Sequence, residues 1–201
     1  IYEGGFKHNE QSVRIVEKLE KDGAGLNLTW EVRDGILNHQ TKTIPHTLEG
    51  KIVRLSDKIA YVNSDIDDAI RAQILSEDDI PLELRKTLGF DTRTRLDHLI
   101  HDIIIHSMGK DDIIMSDETA EALRDLRLFM FDNVYKNPVA KGEEVKAKTM
   151  LEQMFYFYMD HIEQLPAKFL EMLDEGEDRG RIVCDYISGM TDQYLSLIHI
   201  S

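Results

Sequence analysis

The chain has 201 residues, with 24 Lys and Arg against 38 Asp and Glu, a formal net charge of -14 and 42% hydrophobic residues. That is enough chain to bury a sizeable core and enough apolar content to exclude disorder in spite of the charge excess. So acidic a surface repels phosphate backbones and anionic lipid at long range, so neither bulk nucleic-acid binding nor membrane binding is expected.

Gly and Pro number 12 and 4, about 8% together against roughly 12% in average proteins, which leaves few breaks and favours an all-α fold. Taken in chain order, Asn9 is placed to cap a helix running to about Glu20, with Val13, Val16 and Leu19 at helical spacing and Gly23 and Gly25 as its stop. Thr29 caps a second helix through Val32, Ile36 and His39. After Pro45 comes the strongest periodicity, Leu48, Ile52, Leu55, Ile59, Val62, Ile66, Ala69 and Gln73, which predicts a long core-packed helix. Pro81 opens a short helix, and Gly89 leads to another over 94–107. Ser116 caps the next, which runs to Asn137 and Pro138, and a long helix is predicted over 143–164. A short helix follows Pro166 and a last one covers 179–194, with the acidic run Asp174–Asp178 between them as a solvated loop. The polar connections 76–93 and 108–116 are where a subdomain boundary is expected.

Cys184 is the only cysteine, so no intrachain disulfide forms and a reducing, cytoplasmic setting is expected. Ile1 to Phe6 reads as the middle of a loop, with more chain expected before it. Leu195 to Ser201 reads as the translation of a transposase mosaic-end adapter used in sequencing libraries and is set aside from fold reasoning.

Three groups of residues could carry chemistry. On the long helix, Asp57, Tyr61, Asp65 and Asp68 fall within about 80° of one another at 100° per residue, opposite the apolar stripe. A stripe of this kind is ordinarily a solvated face, and its functional reading is a carboxylate offered to a divalent metal with a phenol and a second carboxylate beside it for a polar substrate. His8, followed by Asn9, stands at a helix start, where it could give a proton to a leaving oxygen. His98, His101, Asp102 and His106 place imidazoles and a carboxylate on adjacent helical faces, but Ile100, Ile103, Ile104 and Ile105 surround them, which makes the group a decoy for a metal site. The chain has no phosphate-binding Gly-rich loop, no H-E-x-x-H, no C-x-x-C and no G-x-S-x-G, which sets aside most familiar enzyme classes.

The segments Gly5–Leu19, Gly25–Thr29 with Glu31–Gly35, Leu48–Tyr61 and Asn63–Ala72 together resemble the bacterial dGTPase-like deoxynucleoside triphosphate triphosphohydrolases of the HD superfamily. The resemblance implies the C-terminal part of an incomplete HD-type helical domain over 1–90, a helical phosphohydrolase-associated region over 91–194 and an adapter-derived tail over 195–201. It implies hydrolysis of a dNTP, dGTP first among them, to deoxynucleoside and tripolyphosphate with a divalent metal such as Mg or Mn. By the same resemblance Asp57 is a metal ligand and His8 the catalytic histidine. Asn9, Lys58, Tyr61 and Asp65 are substrate contacts, and the parent protein is a homo-oligomer. The remaining metal ligands, a His and a His-Asp pair, belong before residue 1 by sequence order, so the 201-residue piece is expected to be inactive by itself. Two alternatives stay open: another HD-superfamily phosphodiesterase or nucleotidase, and a non-catalytic all-α regulatory or binding module.

Overall fold

The computed structural model describes residues 5–136, 138–191 and 193–195, and among these it is helical throughout, with no strand. The helices are α1 (His8–Arg14), continued by a π-helical turn (Ile15–Leu19), then α2 (Trp30–Asn38), α3 (Leu48–Arg71), α4 (Leu82–Leu88), α5 (Thr92–Ser107) and α6 (Asp117–Met130), continued by a second π turn (Phe131–Tyr135), then α7 (Pro138–Asp160), α8 (Ala167–Asp174) and α9 (Arg179–Ser188). They form two compact units, one from Thr29 to Lys141 and the other from the described residues before Thr29 and from Gly142 onward. The boundary expected near residue 90 lies inside the first of these. All of the tail expected at 195–201 except Leu195 lies outside the described residues.

In the Thr29–Lys141 unit, α3 is the spine. Thr47 caps it, its hydroxyl accepting from the Gly50 amide at 3.1 Å. A side chain at Gly50 would bring a Cβ to 2.6 Å from the Pro45 ring, so only glycine lets the helix start pressed against that loop. The buried face of α3, Ile59, Val62, Ile66 and Ala69, shares one core with Leu88 of α4, Leu99 of α5 and Ala122, Leu123, Leu126 and Met130 of α6. Arg95 is fully buried in α5. It donates to the Asn63 carboxamide oxygen at 2.8 Å and pairs with Glu77 at 3.0 Å, which satisfies a charge that would otherwise cost several kcal/mol to bury.

The other unit packs Met154, Phe155 and Tyr158 of α7 with Phe169 of α8 and Ile182 and Val183 of α9, and Leu19 lies against that cluster. Its polar centre is Asp185, which is buried and accepts from Arg14 Nε at 2.7 Å and Gln11 Nε2 at 2.8 Å. Glu177 bonds Arg14 at 3.1 Å and Lys18 at 2.5 Å, and the Asp178 carboxylate caps α9 by accepting from the Arg181 amide at 2.8 Å. The acidic run 174–178 therefore works as a clamp and a cap, not as the solvated loop expected of it.

Several boundaries differ from the expectations. Asn9 is not a cap: the Gln11 amide already bonds the Lys7 carbonyl at 2.9 Å, so the helix starts at His8 and Asn9 is buried inside its first turn. α7 starts at Pro138, a residue suited to a first helical position because its missing N–H has no partner to lose there. α9 stops at Ser188, with Gly189 closing the last turn by donating to the Asp185 carbonyl at 3.2 Å.

Candidate functional site

With α3 buried along Ile59, Val62, Ile66 and Ala69, an adjoining arc of about 100° carries Asp57, Tyr61, Arg54, Asp65 and Lys58, with Lys58 and Asp65 at the edge next to the core. Asp57, Lys58, Asp65 and Arg54 are half-buried, whereas Tyr61 is 64% exposed. Asp57 has no hydrogen-bond or ion-pair partner among the described residues. The four residues expected on this helix thus share one face. His8 and Asn9 stand on α1, in the other unit. His8 is exposed, and its carbonyl accepts from the Ser12 hydroxyl at 2.9 Å.

A second helix completes the face. Tyr135, in the π turn after α6, donates its hydroxyl to Asp65. Burial pushes the Asp65 carboxyl above the usual carboxylate range, the neighbouring Asp68 adds to the rise, and Arg127 of α6 opposes it. Burial also pulls the Lys58 ammonium below the usual lysine range, and the positive charges of Arg54 and Arg127 pull the same way. Arg54, Lys58 and Arg127 are therefore a cationic group on a strongly acidic chain. Phe131 meets Tyr135 edge to face, with ring centroids 6.4 Å apart, and Lys136 lies over the Phe131 ring at 4.8 Å. Sequence reasoning missed Arg54, Arg127 and Tyr135. The only trace of the last two was their place beside the Leu126 and Met130 stripe, and nothing in that spacing names α3 as the neighbour.

Chemically, the cations suit phosphate oxygens. Asp65 and the two phenols can bond sugar hydroxyls, and Asp57 is a hard oxygen donor for a divalent cation. Among the described residues no three His, Cys, Asp or Glu side chains are grouped to hold a metal ion. Such a cation needs about six oxygen ligands, so these residues do not form a metal cage, and Asp57 fits it as one ligand of a larger set.

The histidine cluster on α5 is engaged otherwise. Asp102 accepts from the Ser116 amide at 2.8 Å and the Ser116 hydroxyl at 2.7 Å, which anchors the residue that caps α6. Burial alone would raise the Asp102 carboxyl; the Ser116 and Thr119 bonds and the nearby His106 overcome it and hold the group low. His98 meets the Thr119 hydroxyl at 3.2 Å, and His101 lies 3.3 Å from Asp97.

Residues 113–200 match the phosphohydrolase-associated domain. Over 197 residues, 98% of its length, the chain is 51% identical to a deoxyguanosinetriphosphate triphosphohydrolase-like protein of Caldanaerobacter subterraneus subsp. tengcongensis. The chain is homologous to the deoxyguanosinetriphosphate triphosphohydrolase-like proteins. Such proteins from Clostridium perfringens strain 13 and Clostridium tetani are each 45% identical, over 95% and 96% of this chain. The chain spans 58% of the length of all three relatives. The stretch shared with the first of these relatives includes the α3 face.

Proposed function

We propose that this chain carries the nucleotide-reading face of a metal-dependent dNTP triphosphohydrolase, dGTPase-like, that releases deoxynucleoside and tripolyphosphate. The observation that carries the proposal is the α3 face, where Asp57, Lys58, Tyr61 and Asp65 stand together and Arg127 and Tyr135 close on them from α6 and its π turn. The homology to proteins named as deoxyguanosinetriphosphate triphosphohydrolase-like adds to it, and makes dGTP the first substrate to try.

In this reading Lys58 and Arg127 hold phosphate oxygens and stabilise the charge that builds on the α-phosphate as water attacks it and the bond to the sugar 5′-oxygen breaks. Tyr61 and Asp65 bond the deoxyribose, with Asp65 oriented by Tyr135. The roles of His8 as proton donor to the leaving 5′-oxygen and of Asn9 as a substrate contact rest on the family resemblance alone. Asp57 is the residue of this chain that would hold a divalent cation, Mg or Mn, which would supply polarisation of the phosphate. The 201-residue chain alone is inactive, since one carboxylate holds such a cation weakly. The intact protein, an HD-domain hydrolase, works in the cytoplasm as a homo-oligomer without binding bulk nucleic acid. No helix among the described residues is long and apolar enough to cross a membrane.

The test is tripolyphosphate release from dGTP with Mn present, alongside calorimetric binding of dGTP and GTP. The chain alone is expected to bind dGTP better than GTP and to release nothing. Release by the chain alone would overturn its inactivity, and equal or absent binding of the two nucleotides would overturn the reading.

A further inference from the structure

The loop between α2 and α3 is pinned at both ends and lies against the start of the α3 face. At one end, Arg54 donates to the Gln40 carbonyl from Nε at 3.1 Å and to the Thr41 carbonyl from a terminal nitrogen at 2.9 Å. At the other, the buried Asp34 carboxylate accepts from the His46 amide and meets the His46 ring nitrogen, each at 2.7 Å, while Pro45 packs on Gly50. Between the two anchors a tight turn puts Lys42 at the tip, exposed and with no hydrogen bond or ion pair among the described residues. In this strongly acidic chain, residues 35–48 contain no Asp or Glu. The loop is thus a fixed arm of one sign of charge, held by a residue of the α3 face.

The order of groups along α3 gives that arm a direction. Asp65, assigned to the sugar, lies about 12 Å along the helix axis from Asp57, assigned to the cation that serves the α-phosphate, at 1.5 Å per residue. Continuing the same way, Arg54 is about 4.5 Å beyond Asp57. A triphosphate laid from Asp65 past Asp57 and Lys58 therefore runs its far phosphates toward Arg54 and the turn that Arg54 holds. That far end carries most of the substrate's negative charge, and Lys58 and Arg127 alone do not match it.

Resting on the proposed function, we propose that the 39–47 loop receives the terminal phosphates of the nucleotide, with Lys42 as a phosphate contact and Arg54 as the positioning residue that holds the loop over α3. A compact ammonium at a turn tip is a point charge that suits a terminal phosphate, and a planar guanidinium suits two adjacent carbonyls. The proposal predicts discrimination between a triphosphate and a monophosphate of the same nucleoside, because only the former reaches the arm.

The test is isothermal titration of the whole chain with dGTP, dGMP and inorganic tripolyphosphate, each with Mn, for wild type, Lys42→Glu, Lys42→Arg and Arg54→Gln, with Lys86→Glu on α4 as a charge control. Lys42→Glu is expected to weaken dGTP and tripolyphosphate about tenfold, the effect of one lost charge contact, and to leave dGMP unchanged. Arg54→Gln should lower the dGTP to dGMP affinity ratio similarly, Lys42→Arg should keep it, and Lys86→Glu should not move it. If dGTP binds and the ratio is the same in Lys42→Glu as in wild type, the arm is wrong and the α3 face stands. If dGTP does not bind wild type, both fall.

Discussion

Tyr135 donates its phenolic hydrogen to the carboxylate of Asp65, a residue 70 positions away in the chain. This bond ties the π turn after α6 to the polar face of α3, so the side chain proposed to bond the sugar is also part of the tertiary structure. Tyr135→Phe keeps the ring against Phe131 and removes only the donor. A hydrogen bond to a carboxylate is worth about 1.5–3 kcal/mol when buried, and Tyr135 is 44% exposed, so about 1 kcal/mol is expected here. Calorimetry should show dGTP binding weakened roughly fivefold with the fold unchanged by circular dichroism.

Asp65 should be a cost to the fold. Its carboxyl is held above the usual range by burial and by Asp68. A carboxyl with a raised folded pKa favours the folded state when protonated, so that contribution is in place below about pH 4 and is lost as pH rises through the folded value. Asp65→Asn should therefore gain stability relative to wild type as pH rises from 4 to 7, measured by thermal melting, while dGTP binding falls. Stability gained together with binding lost is the trade-off expected of a functional carboxylate.

Asp185 should be the opposite case. Its carboxylate is buried against Arg14, whose guanidinium would be pulled down by its own burial but is held above the ordinary range by Asp185 and Glu177. Asp185→Ala leaves Arg14 and Gln11 without their central partner, a change that costs about 3 kcal/mol or more for a buried pair. Urea unfolding followed by circular dichroism should show it as a lower midpoint.

Asp102 tests whether the histidine cluster is structural. Asp102→Ala removes two bonds to Ser116 and should cost about 1–3 kcal/mol, while metal content after incubation with Mn should equal that of wild type. Because its folded carboxyl lies below the usual value, its stabilisation is present above about pH 4 and is lost as pH falls through the folded value. The wild-type minus Asp102→Ala difference in unfolding free energy should shrink accordingly on acidification.

Much of this molecule was legible because local periodicity and caps dominate it. The 3- and 4-residue spacing from Leu48 to Ala69 located α3 and marked its core from Ile59 onward, although Ile52 of the same stripe is exposed, and Ser116 marked the start of α6. What was not legible depends on long-range packing. Arg127 and Tyr135 reach the candidate site only because α6 crosses α3, and Arg54 holds Gln40 and Thr41 through backbone carbonyls, which carry no sequence signal. The same limit hid the work of Glu177, whose partners Arg14 and Lys18 lie more than 150 positions away. Asn9 misled for a local reason: Asn is a good cap, but the Lys7 carbonyl already accepts the first helical bond.

The most direct test is an amide NMR titration of the chain with dGTP and, separately, GTP in the presence of Mg. Saturable shifts concentrated at residues 54–65 of α3 and at Arg127 and Tyr135, larger and tighter for dGTP than for GTP, are predicted. Shifts confined to His98–His106, or no saturable shift with either nucleotide, would contradict the assignment of the α3 face as the nucleotide reader.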